Sequence, residues 1–175
     1  MLSTRGAFMR PRDDVGTPVR REVPPTDGGA VRPPRITGID PRGPRFGAGI
    51  TAALLALTVV LGTTVTAALL LGLATVLFAI GAVRGTQGSV QGAVFRRWVR
   101  PRLAPPSYLE DPAPPRFSQV VGLVVGATGL VLGAVVPAAV PVAAAVAFVA
   151  AFLNAAFGFC LGCEMYLLLQ RLRRA

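Results

Sequence analysis

Two cysteines and one carboxylate are the residues of this chain best suited to chemistry. Cys160 and Cys163 are its only cysteines, and Glu164 follows at once in Phe157-Gly-Phe-Cys-Leu-Gly-Cys-Glu-Met-Tyr166. A Cys-x-x-Cys pair can pass between dithiol and disulfide, carry a persulfide, or ligate a soft metal. A neighbouring carboxylate can take or give the proton that such steps move. Glu164 is also the one charged residue between Phe117 and Gln170. A charge inside an apolar run is costly, which makes it a functional candidate. On a helix the three side chains fall within about 100° of one another. With no histidine in the chain, Ser-His-Asp chemistry, histidine bases and histidine metal ligands are excluded.

Reactivity depends on where the pair sits along its helix. Reactive Cys-x-x-Cys pairs open a helix, where the N-terminal dipole favours the thiolate. Here the pair comes late in an apolar run, and both burial and Glu164 would hold the thiols protonated. It becomes reactive only if the helix breaks near Gly158 and restarts at the cysteines, or if arginines approach. An unbroken helix would also keep the two Cβ atoms about 5–6 Å apart, wider than a disulfide wants. Without a break, the pair reads as two small thiols packed between helices.

The surrounding composition is that of a membrane protein. The chain has 175 residues, 53% hydrophobic and 15% charged, and its 18 basic residues are all arginine against 8 acids. A soluble domain carries roughly a quarter charged residues. No charge occurs from Phe46 to Val83. As one helix that stretch would be roughly 57 Å long, against a bilayer core of about 30 Å, so it must fold into a hairpin. The polar interruption at Leu61-Gly62-Thr63-Thr64 predicts helices over 46–62 and 65–84. Phe117 to Gln170 is likewise too long, and Pro137 and Pro141 bracket its break. That predicts helices over 117–135 and 141–168. A soluble bundle helix needs a polar face, and none of these four has one. The expectation is an all-α polytopic membrane protein with four spans in two hairpins. Ordinary soluble domains, disulfide-stapled miniproteins and zinc fingers are excluded.

The arginines set the expected orientation. Neither tight connector carries a charge; every arginine lies before the first span, in the segment Arg84 to Arg116, or in the tail. Short basic loops stay in the cytoplasm, so both termini and the central loop are expected there. The arm, 1–39, has too few large apolar residues to offset chain entropy and reads as disordered. The first 40 residues lack the apolar core of a cleavable signal, so the first span is expected to direct insertion. Residues 89–99 read as an amphipathic helix on the membrane surface, with Trp98 as an interfacial anchor. Residues 100–116 hold six prolines and read as a semi-rigid strap. Cys163 lies eight residues before Arg171, about 12 Å along a helix, so the dithiol is expected near the reducing cytoplasmic face. A permanent structural disulfide does not suit that compartment.

The chain also repeats itself. Asp40-Pro-Arg-Gly-Pro-Arg-Phe46 returns as Asp111-Pro-Ala-Pro-Pro-Arg-Phe117, with five of seven positions matching at an offset of 71. At the same offset Leu61-Gly62 falls on Leu132-Gly133, and Ser89 to Arg100 falls on Cys160 to Arg171. Each half therefore reads as a doorpost, two spans and a short basic helix, related by an axis along the membrane normal. In the doorpost the aspartate caps the helix, the proline follows it, the arginine snorkels and the phenylalanine enters the interface. Asp40, Arg45, Phe46, Asp111, Arg116 and Phe117 are the expected anchors. Arg45 and Arg116 together form a candidate anion clamp. Asn154, Gly158 and Gly162, four apart, are expected to form one close-packing helix face.

The doorposts, Phe95-Arg-Arg-Trp-Val-Arg-Pro-Arg102 and above all Asn154, Gly158, Cys160, Cys163 and Glu164 in Phe152-Leu-Asn-Ala-Ala-Phe-Gly-Phe-Cys-Leu-Gly-Cys-Glu-Met-Tyr166 resemble a bacterial integral-membrane family known as domain of unknown function 4395, over about residues 36–172. The resemblance implies a multi-pass protein of the bacterial plasma membrane, but no activity. Its members often lie beside thioredoxin-like and rhodanese-like sulfurtransferase genes, which by association implies thiol or sulfane-sulfur handling. Together these features predict a membrane thiol relay in which Cys160 attacks, Cys163 resolves and Glu164 moves the proton. A soluble thioredoxin-like or rhodanese-like protein is the expected partner beside the lipid bilayer. No cofactor, resident metal or nucleic-acid partner is expected, and the oligomeric state is not specified. The alternatives are a metal-binding pair, a non-enzymatic scaffold using the Asn154/Gly158/Gly162 face, and a small sulfur-anion carrier with Arg45 and Arg116 at its mouth.

Overall fold

Apolar runs too long for one crossing fold back on themselves, and the computed structural model of the chain, which describes residues 38–174, shows where. The first run gives α1 (Arg42–Leu61) and α2 (Val65–Gly88), the latter kinked at Gly85. The turn between them closes where the Thr64 hydroxyl accepts from the Ala67 N–H at 3.2 Å. After Ser89 a short helix, α3 (Val90–Val94), continues as one wide turn over Phe95–Val99 and one tight turn over Arg100–Arg102. The second run gives α4 (Ala113–Gly133) and α5 (Ala139–Phe157), and α6 (Leu161–Arg174) follows. α1, α2, α4 and α5 are each long and apolar enough to cross a membrane. They leave residues such as Val60, Val65 and Val131 largely exposed, as lipid-facing side chains must be. The chain is an all-α polytopic membrane protein.

Several boundaries differ from the sequence expectation, among them the end of the second span, which passes the kink and runs to Gly88 instead of 84. The first and third spans start earlier because the doorpost aspartates act as caps: Asp40 Oδ1 accepts from Arg42 N at 3.0 Å and Asp111 Oδ1 from Ala113 N at 2.9 Å. Pro114 and Pro115 therefore lie in the first turn of α4, where no N–H is needed, and the strap is shorter than 100–116. The fourth span does not run to 168; it stops at Phe157, and α6 is a separate helix. The arm expected over 1–39 lies outside the described residues except for Gly38 and Ile39. Ile39 is buried and exchanges two backbone hydrogen bonds of 2.9 Å with Glu110.

The repeat in sequence is a repeat in space. α1 packs on α5 and α2 on α4, so each hairpin lends one helix to each seam. α3 lies against α1 as α6 lies against α4. Phe46 meets Phe95 at a ring separation of 5.7 Å, and Phe117 meets Tyr166 at 5.6 Å. Ile39 and Glu110 are themselves equivalent positions, so their bridge lies where a two-fold relation between halves requires it. The core holds Leu55, Leu71, Ala74, Val140 and Ala144. Buried Thr58 and Thr75 donate to carbonyls of their own helices, Leu54 at 2.9 Å and Leu71 at 2.7 Å.

Small residues let these helices approach without a hydrophobic drive. A Cβ on Gly129 would collide with Ala143 Cβ and stand 3.3 Å from Leu71 Cδ2, whereas one on Gly72 would meet nothing. Gly129→Val is expected to destabilise the folded state by about 1–3 kcal/mol through overpacking. Gly72→Ala is expected to stabilise it by up to about 1 kcal/mol through helix propensity. Unfolding in mixed detergent micelles measures both.

Candidate functional site

The fourth apolar run is broken by one backbone conformation. Gly158 takes φ 71°, ψ 14°, the left-handed region that ends helices and suits glycine. Its N–H donates to the Asn154 carbonyl at 3.0 Å, and the Phe159 N–H donates to Leu153 at 3.3 Å. Two residues later the chain re-enters a helix at the cysteines. The Cys160 carbonyl accepts from the Glu164 N–H at 3.0 Å, and its Sγ accepts from the Cys163 N–H at 3.4 Å. Cys160 is thus the N-cap of α6, with its sulfur where a serine hydroxyl would cap. The two sulfurs are joined as a disulfide, with Cα atoms 5.2 Å apart. When that bond opens, the N–H groups and dipole of α6 favour a thiolate at Cys160.

The equivalent place in the first half shows what has changed. Ser89 corresponds to Cys160 and Gly92 to Cys163. The Ser89 hydroxyl accepts from the Gly92 N–H at 3.0 Å, the same capping bond with oxygen in place of sulfur. The doorpost arginines diverge too. Arg116 donates to the α2 carbonyls of Ala82 at 2.7 Å and Val83 at 3.1 Å. The matching α5 carbonyls, Leu153 and Asn154, are taken by backbone N–H groups at the Gly158 turn. Arg45 is therefore released from capping; its Cζ lies 3.2 Å from where a Gly158 Cβ would stand. Among the described residues its guanidinium has no hydrogen-bond acceptor.

A cavity of about 740 Å³ joins these groups, lined by Arg45, Cys160, Cys163 and Glu164 among others. Arg116 does not line it, so the structure does not assemble the two-arginine clamp. Both cysteines are partly buried, while Glu164 is exposed. The expected packing face is also divided. Asn154 lies on α5 and lines the cavity, Gly158 forms the turn, and Gly162 on α6 packs against Ser118 of α4, with a Cβ there only 2.6 Å from Ser118 Cα. Trp98 is 60% exposed on the turn that follows α3. Sequence reasoning missed Gln91, whose amide donates to Thr51 Oγ1 at 3.4 Å, and Gln119, which also lines the cavity. Each is a polar residue in or beside an apolar span, and that was the available signal. Among the described residues no group of three or more Cys, Asp or Glu side chains gathers to hold a metal ion.

Residues 39–171 match the family described as "Domain of unknown function (DUF4395)". No curated protein and no solved structure matches the chain.

Arg45→Gln is expected to slow alkylation of the reduced cysteines by roughly three- to tenfold, as a nearby cation and its bias toward thiolate are lost. Arg116→Gln is expected to leave that rate unchanged. Instead it lowers folding stability by about 1–2 kcal/mol, because two helix-end carbonyls lose their donor. Timed iodoacetamide labelling and micellar unfolding separate the two effects.

Proposed function

The chain belongs to the DUF4395 family, and we propose that it is a membrane thiol relay whose Cys160/Cys163 pair exchanges electrons or sulfane sulfur with a water-soluble protein. One observation carries this reading: the apolar run breaks at Gly158, and the pair opens a new helix with Cys160 as its N-cap. Helix N-termini are where dithiols become nucleophilic. Arg45 adds a cation at the same turn. In the other half the same structural position holds an ordinary serine cap and a glycine.

In the electron-transfer form, Cys160 thiolate attacks one sulfur of a partner disulfide, forming a mixed disulfide and releasing the partner's other sulfur as thiolate. Cys163 then attacks Cys160, closing the internal disulfide and releasing the partner as a dithiol. In the reverse direction, a partner dithiol reduces the Cys160–Cys163 bond by the same two exchanges. Glu164, in the first turn of α6 and exposed, takes the proton from the resolving thiol. Sulfane sulfur would travel as a persulfide on Cys160, passed from one thiolate to the next without net oxidation. The positive-inside rule supports a cytoplasmic position for the arginine-bearing end, which holds the site, and the family resemblance supports a bacterial plasma membrane. A thioredoxin-like or rhodanese-like protein is the partner with matching chemistry.

Cys163→Ser removes the resolving thiol and is expected to accumulate a mixed disulfide with a soluble thiol protein in host cells, seen as a reductant-sensitive band. Cys160→Ser is expected to accumulate none. No captured protein with Cys163→Ser, together with thiols that stay unlabelled after reduction in mild detergent, would end the relay reading.

A further inference from the structure

A dithiol at a membrane boundary needs a second redox partner to be turned over, and the cavity beside it has the character of a site for a lipid-soluble one. We propose that this cavity binds a quinone, and that the Cys160/Cys163 pair passes to it the electrons taken from the soluble dithiol. The inference rests on the redox form of the relay above and names its second substrate.

Size comes first. About 740 Å³ lies well inside the roughly 300–1,000 Å³ of small-molecule sites. A sulfur oxyanion of a few atoms would leave most of it empty. Shape comes next. The cavity has walls on α1, α4 and α5, and α1 and α4 do not pack on one another. From Ser118 to Val125 its α4 wall runs seven residues, about 10 Å, into the apolar span. That deep part is lined by Phe78, Val125, Val146 and Ala150, which suit a ring and an isoprenoid tail. Its polar lining falls at positions nearer the cysteines. Arg45 there, with the amides of Gln119 and Asn154, supplies N–H donors for quinone carbonyl oxygens. Among the described residues neither amide is committed to another side chain. Among the described residues Arg45 is the only cation lining the cavity, beside the carboxylates of Glu110, Asp111 and Glu164, so the site can donate to one reduced quinone oxygen but does not suit a dianion.

The step balances. Two thiols lose two electrons and two protons as the S–S bond forms. The quinone takes both electrons and both protons on its two oxygens and leaves as a hydroquinone. Glu164, which lines the same cavity, is placed to pass one of those protons.

The test uses the full chain in lipid nanodiscs, reduced and freed of reductant, then mixed with decylubiquinone, whose ring is fully substituted and offers no carbon for thiol addition. The expected result is two thiols lost for each quinone reduced, counted by alkylation and by quinone absorbance. Ala150→Leu fills the apolar part and is expected to slow the reaction by about tenfold or more. Its reduced cysteines should still alkylate within about twofold of the parent rate, which shows that the turn is intact. Equal rates in the parent and Ala150→Leu overturn the proposal. So does protection of the pair by thiosulfate but not by the quinone. Capture of a soluble protein by Cys163→Ser with no thiol loss to the quinone also overturns it and leaves the relay standing. Thiol loss to the quinone without such capture supports the quinone site and removes the soluble partner.

Discussion

Helix ends leave backbone groups with no partner inside the helix, and the way each is closed shapes the whole basic end of the molecule. The helix starts there, the kink of α2 and the end of α5 are each closed by a named group. Asp40 and Asp111 close the starts of α1 and α4. Ser89 closes α3. Arg116 covers the carbonyls of Ala82 and Val83 on α2. At the end of α5 the turn closes itself, through the N–H groups of Gly158 and Phe159. The start of α6 has only a sulfur, and sulfur is a weak acceptor. The cysteine that the proposed relay uses first therefore stands at the most weakly satisfied of these ends.

The two halves make this contrast internal to the molecule. They share caps, aromatic pairs and helix seams, so the fold alone does not call for cysteine at 160 or 163. Ser89 and Gly92 hold the same turn in the first half. The substitutions that distinguish the second half act together. A left-handed glycine ends α5 without help from a side chain, which releases Arg45 from the role that Arg116 keeps. The released guanidinium then lies over the turn that leads to Cys160. Gly162, where the first half has Gln91, lets α6 approach Ser118 closely and fixes the first turn that carries Cys163. A turn capped by serine in one half is thus capped by cysteine in the other.

Much of this was legible in the residues. Span number, hairpin pairing and the repeat followed from runs of apolar residues, two breaks and one offset. Their physical basis is bilayer thickness and helix rise, which no tertiary detail overrides. The break at Gly158 was legible only as a condition, because Phe157 to Cys163 is as apolar as the helix before it, and glycine in such a run reads equally as a packing residue. That ambiguity produced the mistaken single face of Asn154, Gly158 and Gly162. The repeat held the missing signal: Cys160 aligns with Ser89, a residue type that caps helices. The separation of Arg45 from Arg116 was not legible, since it depends on which donors reach the carbonyls of another helix.

In the proposed relay the position of the break also decides which sulfur acts first. Cys163 belongs to a helical turn held against α4 through Gly162 and Ser118, and its backbone N–H is already directed at Cys160. Cys160 lies in non-helical backbone between the Gly158 turn and α6. Once the disulfide is open, rotation of the Cys160 side chain costs one weak hydrogen bond, while moving Cys163 would disturb a packed helix. The sulfur at the N-terminus of α6, two residues from the Gly158 turn that Arg45 covers, is therefore also the one free to turn toward a partner in the proposed relay. The fixed sulfur remains within reach to close the bond behind it. A dithiol within an unbroken helix would offer neither the asymmetry nor the freedom, so the proposed relay depends on the left-handed glycine as much as on the cysteines.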